Sequence, residues 1–343
     1  MLESKLYFLS KKQLYSRSTK RLANPLYLKS CAFFGALLVD RTGTLDTGLD
    51  FTVIDSIPQL STELSFEEIC EIRAKEICDL SEGKLKVLWS GGIDSTVALI
   101  SLINELGQRD QLTRLVVLLS EESVIEFGNF YQNVIIPELN IEWVKSTIYE
   151  SILPDEVIVT GEHGDQLFGS DKLKIPVITG DAYRNHEEVL EFLISRKLGT
   201  DTYTTDLIEY LKPQIAKAPF PIHSLFDYFW WMNFSLKWQN VSMRLVEGLD
   251  RNVEALDTTV FHFFRSELFQ QWSIANHDSK IKGDWKTYKY VAKEYIHKHF
   301  PDEEYLYQKE KEPSLKEVLV ADKEFSLLRL PAKIYRSLTT VRP

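Results

Sequence analysis

Cysteine is scarce. The 343 residues hold three, Cys31, Cys70 and Cys78, and no two form a CxxC pair. That excludes a disulfide framework and the common structural zinc sites, and it points to a reducing, cytoplasmic setting. Long apolar runs are missing too. The longest, "CAFFGALLV" at 31–39, falls well short of the roughly 20 residues that a bilayer-spanning helix needs. No small-residue cleavage site follows it, so it does not read as a secretory signal either. Positive charge is in deficit, with 40 Lys and Arg against 50 Asp and Glu and a net charge of −10. A chain of this balance has no general basic surface for nucleic acid. Internal repeats and low-complexity tracts are also lacking. Hydrophobic residues make up 44% of the chain, which argues against disorder and for a sizeable core.

The segments that are present fall into three parts. Residues 1–64 read as a small β element: "SKKQLYSRSTKR" is a solvated basic stretch, "AFFGALLVD" a strand, "RTGTLDTG" a turn and "DFTVID" a second strand. Residues 65–185 read as an α/β core. "STELSFEEICEIRAKEICDLSEG" is a helix, with Ser65 and Glu68 spaced as a capping box, Gly83 as the stop, and Cys70 and Cys78 as packing residues. "LKVLWS", "TRLVVLLS", "IEWVKST" and "DEVIVTG" are strands, and "STVALISLINELG" and "SVIEFGNFYQNVI" are helices between them. Such alternation predicts a parallel sheet with helices on both faces. Residues 186–343 read as a helical part, in which "LFDYFWWMNFSLKW" and "TTVFHFFRSELFQQW" supply aromatic core. The basic and apolar end of the chain has no assignment.

Two loops carry the chemistry. In "VLWSGGIDSTVALI", a buried strand ends and a helix starts across Ser90, Gly91, Gly92, Asp94 and Ser95. The glycines let backbone N–H groups approach an anion, and the helix offers its positive N-terminus. Ser90 and Ser95 add hydroxyls. Asp94 would repel a phosphate by itself, so its presence predicts a bound Mg²⁺ between them. No Gly-Lys-Ser/Thr follows, which excludes a Walker A loop. The competing reading is an ordinary tight turn before a capped helix. In "VIVTGEHGDQLFGS", Gly161 and Gly164 permit a second tight loop that presents Glu162 and Asp165 at the end of a strand. Ligands bind there in open parallel sheets. Two acids in such a place suit one metal ligand and one acid–base or orienting group. The competing reading is an acidic loop that caps a helix.

Ser-Gly-Gly-x-Asp-Ser after a strand resembles the PP-loop of the ATP pyrophosphatases. The second loop resembles the Gly-Glu-Gly-Ser/Ala-Asp-Glu-x-Phe-Gly-Gly segment of asparagine synthetases and their relatives, the β-lactam synthetases and lasso-peptide cyclases. Gly161, Glu162, Asp165, Phe168 and Gly169 match, whereas His163, Gly164 and Gln166 depart. A later stretch, "WKTYKYVAKEYIHKHFPDEEYLYQKEKEPS", is similar to the family's late segment. The resemblance covers about residues 65–315.

It implies a PP-loop fold and an ATP-dependent ligase that adenylates a carboxylate, releases pyrophosphate and forms an amide. Ser90, Gly91, Gly92, Asp94, Ser95, Ser120 and Gly161 would then contact ATP, and Asp94 and Asp165 would hold Mg²⁺. Lys309 would meet charge at the α-phosphate, unless it is one of the solvated charges of "QKEKE". Glu162 would serve amide formation. His163 would stand at the mouth of the site, and Lys289 and Lys293 would fill basic positions. "SCAFFG" echoes the start of a glutaminase domain, but Cys31 is internal and Leu2 stands where the nucleophile would be. Residues 1–64 therefore read as vestigial, and glutamine hydrolysis is not expected.

The expected partner is a small molecule or peptide that carries a carboxylate and an amine. No membrane partner is expected, and a homodimer is compatible with the reading. Two other functions stay open: an adenylating enzyme acting on a nucleobase or tRNA, and a degenerate nucleotide-binding partner protein.

Overall fold

A computed structural model describes residues 5–311. Leu2 and the unassigned end of the chain lie outside them. Five strands form one all-parallel sheet in the order β3-β2-β1-β4-β5. They are β1 Leu85–Leu88, β2 Leu115–Leu119, β3 Asn140–Trp143, β4 Val157–Thr160 and β5 Val260–His262. Helices cover the sheet, as the alternating pattern predicts. β1 and β2 are buried along their whole length, which explains their continuous apolar sequences. Lys86 is the exception within β1. Its ammonium group meets Glu142 at 2.7 Å and Glu156 at 2.5 Å, so the charge is paired where it is buried.

The chain order creates a crevice. From β1 the sheet grows outward through β2 and β3, and β4 then returns to the other side of β1. Leu88 pairs with Thr160 in this register. The loops that follow β1 and β4 therefore leave the sheet side by side, at the point where an open parallel sheet takes its ligands.

The helix before β1 runs over Phe66–Leu80 with the expected capping box between Ser65 and Glu68. It ends at Ser81 in extended backbone, two residues ahead of Gly83. Cys70 and Cys78 are buried in its packing face. The aromatics of Leu225–Leu236 are buried as core. "TTVFHFF" departs from the helical expectation: Val260, Phe261 and His262 form β5, and the helix begins only at Glu267. Three residues are too few to carry a period, and only pairing with β4 makes them a strand.

Residues 5–64 correct the expectation of a small β element. They hold short helices and one isolated bridge between Leu6 and Phe51. "PLYLKSCAFF" is the helix Pro25–Phe34, opened by Asn24 as N-cap with Pro25 at its first position and closed by left-handed Gly35. These are standard helix punctuation marks, and they outweigh the apolar run. The following residues are extended, but they dock on a helix end and not on a sheet. The Val39 N–H donates to Leu236 O at 2.8 Å and the Arg41 N–H to Ser235 O at 3.2 Å. Carbonyls left over at the end of Leu225–Leu236 are thereby satisfied. Arg41 then donates to the carbonyls of Asp55, Phe234 and Ser56 at 2.8–2.9 Å. Cys31 is buried, and burial pushes its thiol up to about 12. Among the described residues no helix is long and apolar enough to cross a membrane.

Candidate functional site

The first loop is shaped by crowding. Gly91 has a φ of 73°, and a Cβ there would overlap the Ser123 carbonyl and come within 2.7 Å of Glu126 Cβ. Gly92 is the N-cap of the helix Ile93–Gln108 and brings no side-chain cap. The first N–H groups of this helix are thus left for an outside acceptor, beside the positive end of its dipole. Ser90 and Ser95 stand at the same mouth with their hydroxyls 2.9 Å apart, and Ser95 Oγ accepts the Ser90 N–H at 3.1 Å. Ser120 caps the next helix by exchanging bonds with Ser123 at about 3.2 Å. It borders a small, mostly apolar cleft with Leu88, Trp89, Leu118 and Val144. The cleft measures about 10 Å³, the space of one water.

The second loop interlocks with the first. A Cβ on Gly161 would lie 2.5 Å from Ser95 N and 2.6 Å from Asp94 C, and one on Gly164 would fall on the Asp94 carboxylate. Both glycines are there so that Asp94 can sit inside the second loop. That brings Asp94 and Asp165 together. Between them lies Lys289, with Nζ 2.8 and 2.6 Å from the Asp94 oxygens and 2.7 Å from Asp165 Oδ1. Lys289 is 0% exposed along its side chain. It takes the left-handed conformation that starts the helix Tyr290–His299. Lys311 approaches from the other side, 3.8 Å from Asp165 Oδ2. Burial penalises the Asp165 carboxylate, but Lys289 and Lys311 outweigh it and hold the group well below the usual range. Burial also disfavours the charge of Lys311, and Asp165 and Asp94 more than offset it.

The two carboxylates expected to share a magnesium ion share an ammonium group. Among the described residues, no group of three or more His, Cys, Asp and Glu is arranged to hold a metal. As arranged, Asp94 and Asp165 do not fit a divalent ion held by the protein.

Lys309 is not the cation that faces these acids. Its Nζ pairs with Glu126 at 2.5 Å, next to Gly91. Lys293 reaches the Lys309 carbonyl at 3.1 Å and Lys174 reaches Glu310 at 2.7 Å. These ties fix the backbone so that Lys311 turns inward. Lys293 therefore positions a segment, and burial lowers its ammonium to about 8.

Glu162 faces a different cation, Arg244, from the helix Trp238–Gly248. The side chains are 26% and 41% exposed. The Glu162 N–H donates to Thr160 Oγ1 at 3.1 Å, and Thr160 lies 2.7 Å from His262 Nδ1. His262 Nε2 is 2.9 Å from the Ser242 carbonyl, which can only accept. Nε2 therefore carries the proton of a neutral ring, and Nδ1 accepts from Thr160. Burial holds this ring neutral by lowering it to about 4.

His163 is not at the mouth. It is 1% exposed, packs at a tilt against Trp238 with ring centroids 4.2 Å apart and bonds Ser242 Oγ at 3.0 Å. It anchors the loop from beneath. Arg244, Lys311, Ser242 and His262 had no local signal, because each meets a partner distant in the chain.

No family model matches this chain, and no curated protein matches it. The likeness to PP-loop synthetases therefore rests on the two loops themselves.

Proposed function

We propose that the chain is an ATP-dependent amide-forming synthetase. The observation that supports this most is the meeting of an uncapped helix N-terminus, two serine hydroxyls and two lysines at the switch point of the sheet. Such a set suits a polyphosphate. N–H groups of the first loop and of the helix Ile93–Gln108 take phosphate oxygens, and Lys289 and Lys311 offset the charge of Asp94 and Asp165 that would otherwise repel them.

In the first step a substrate carboxylate oxygen attacks the α-phosphorus. A new P–O bond forms, the bond to the β-phosphate oxygen breaks, and pyrophosphate leaves with the electron pair. The uncapped helix N-terminus beside that leaving group stabilises the charge that develops on it. In the second step an amine attacks the acyl carbon, AMP leaves, and the amine gives up a proton. Glu162 is the loop acid whose cation, Arg244, is itself exposed, and it is suited to accept that proton while Arg244 orients it. The substrate is a molecule that brings a carboxylate and an amine.

Incubation with labelled ATP and a panel of amino and carboxylic acids tests the reading. AMP and pyrophosphate, formed only when a carboxylate is present, are expected. Formation of ADP and phosphate would contradict it.

A further inference from the structure

We infer that Lys289 is a built-in cation: its ammonium group fills the place of a divalent ion between Asp94 and Asp165, so the chain binds nucleotide phosphates without holding a metal at these acids. This rests on the nucleotide reading above and goes further by removing the ion from it.

Valence supports the assignment. Lys289 Nζ donates to both Asp94 oxygens at 2.8 and 2.6 Å and lies 2.7 Å from Asp165 Oδ1 as an ion pair, so one ammonium group is in contact with three carboxylate oxygens. Those are charge-assisted hydrogen-bond lengths. Magnesium would take these carboxylates at about 2.0–2.1 Å, with waters and phosphates completing six oxygens, and the position between them is the one that Lys289 Nζ holds.

Confinement supports it as well. The Lys289 side chain has no exposure. Its N–H donates to Lys280 O at 2.9 Å and its carbonyl accepts from Lys293 N–H at 3.1 Å. The rings of Phe168 and Tyr288 lie 5.8 and 5.5 Å from Nζ. The Asp94 carboxylate fills the space that a side chain at position 164 would take. Charge points the same way. Asp94 and Asp165 carry two negative charges, and Lys289 and Lys311 carry two positive ones. A divalent ion added here would meet two ammonium groups in a buried site. A neutral cluster leaves the uncapped helix N-terminus to take phosphate, with the paired Ser90 and Ser95 hydroxyls beside it.

Two measurements on the intact chain test this. The first is a Mn²⁺ titration followed by electron paramagnetic resonance, without nucleotide. The wild type should show no site that depends on Asp94, and Lys289→Gln should gain one. The second is calorimetry with ATP, in EDTA and then with Mg²⁺. Wild-type affinity should differ by no more than about threefold between the two, whereas Lys289→Gln should lose roughly 100-fold in EDTA and regain part of it with the metal. Mn²⁺ bound by the wild type and lost in Asp94→Asn would overturn the inference and leave the nucleotide reading intact. ATP that fails to bind with or without metal would instead overturn the nucleotide reading, and the inference about nucleotide binding would fall with it. Should Lys289→Gln fail to fold, the wild type and Asp94→Asn decide the matter by themselves.

Discussion

Glu162 and Asp165 sit three residues apart on one loop and meet cations in opposite settings. Asp165 shares with Asp94 an ammonium group, that of Lys289, which has no exposure. Glu162 meets Arg244 where both side chains still reach solvent. A buried charge that loses its partner is expensive, whereas a solvated pair can separate at little cost. The dry side is therefore built to stay closed, and the wet side is free to exchange partners with a substrate.

Acid should have the largest effect, by charging two buried histidines, one of them beneath the Glu162 loop. His262 is buried below the Glu162 backbone, and burial lowers it to about 4. Burial and Lys280 likewise lower His277 to about 4. Between the ordinary value near 6.5 and 4, the unfolded chain binds protons that the folded chain refuses. Stability should be full above that window, fall as pH drops through it, and level off below. Each histidine can contribute up to about 3 kcal/mol of the fall. Urea unfolding at a series of pH values measures it, and a flat profile across the window would contradict the buried neutral rings.

Gly164→Ala should attack the dry side directly. Its Cβ would land on the Asp94 carboxylate, which Lys289 holds in place. A loss of about 1–3 kcal/mol in the denaturation midpoint is expected, together with loss of ATP binding. Alanine at this position with unchanged stability would mean that Asp94 has room to move.

Arg244→Gln should have the smallest effect on stability, below about 1 kcal/mol, because the pair with Glu162 is half exposed. Its effect should fall on the second chemical step and not on ATP affinity. Rapid-quench kinetics separate the two. Slower adenylation with normal amide formation would place Arg244 on the wrong side of the comparison.

How much of this was legible varies along the chain. β1, β2 and β4 were legible because buried parallel strands are continuous apolar runs, and glycine loops follow two of them. The helix Phe66–Leu80 announced its start through Ser65 and Glu68. Residues 31–39 misled, since an apolar run reads equally as a strand or as a buried helix. Asn24, Pro25 and Gly35 were the marks that separate the two. Among the site residues, Ser90, Asp94, Ser95, Glu162 and Asp165 do gather at one crevice. Lys309 pairs with Glu126, and it is Lys311 that turns toward Asp165, where Lys293 and Lys174 hold the segment between them.

The sequence by itself determined the parallel sheet, the two glycine loops and the acids upon them, because those features are written in local spacing and chain order. Only the tertiary structure decided which cation each acid meets. Lys289 is 195 residues from Asp94, and Arg244 is 82 from Glu162. Pairings across such distances carry no local signature. They follow from how the helical part folds back over the crevice, where burial makes a partner obligatory for Lys289 and optional for the exposed Arg244.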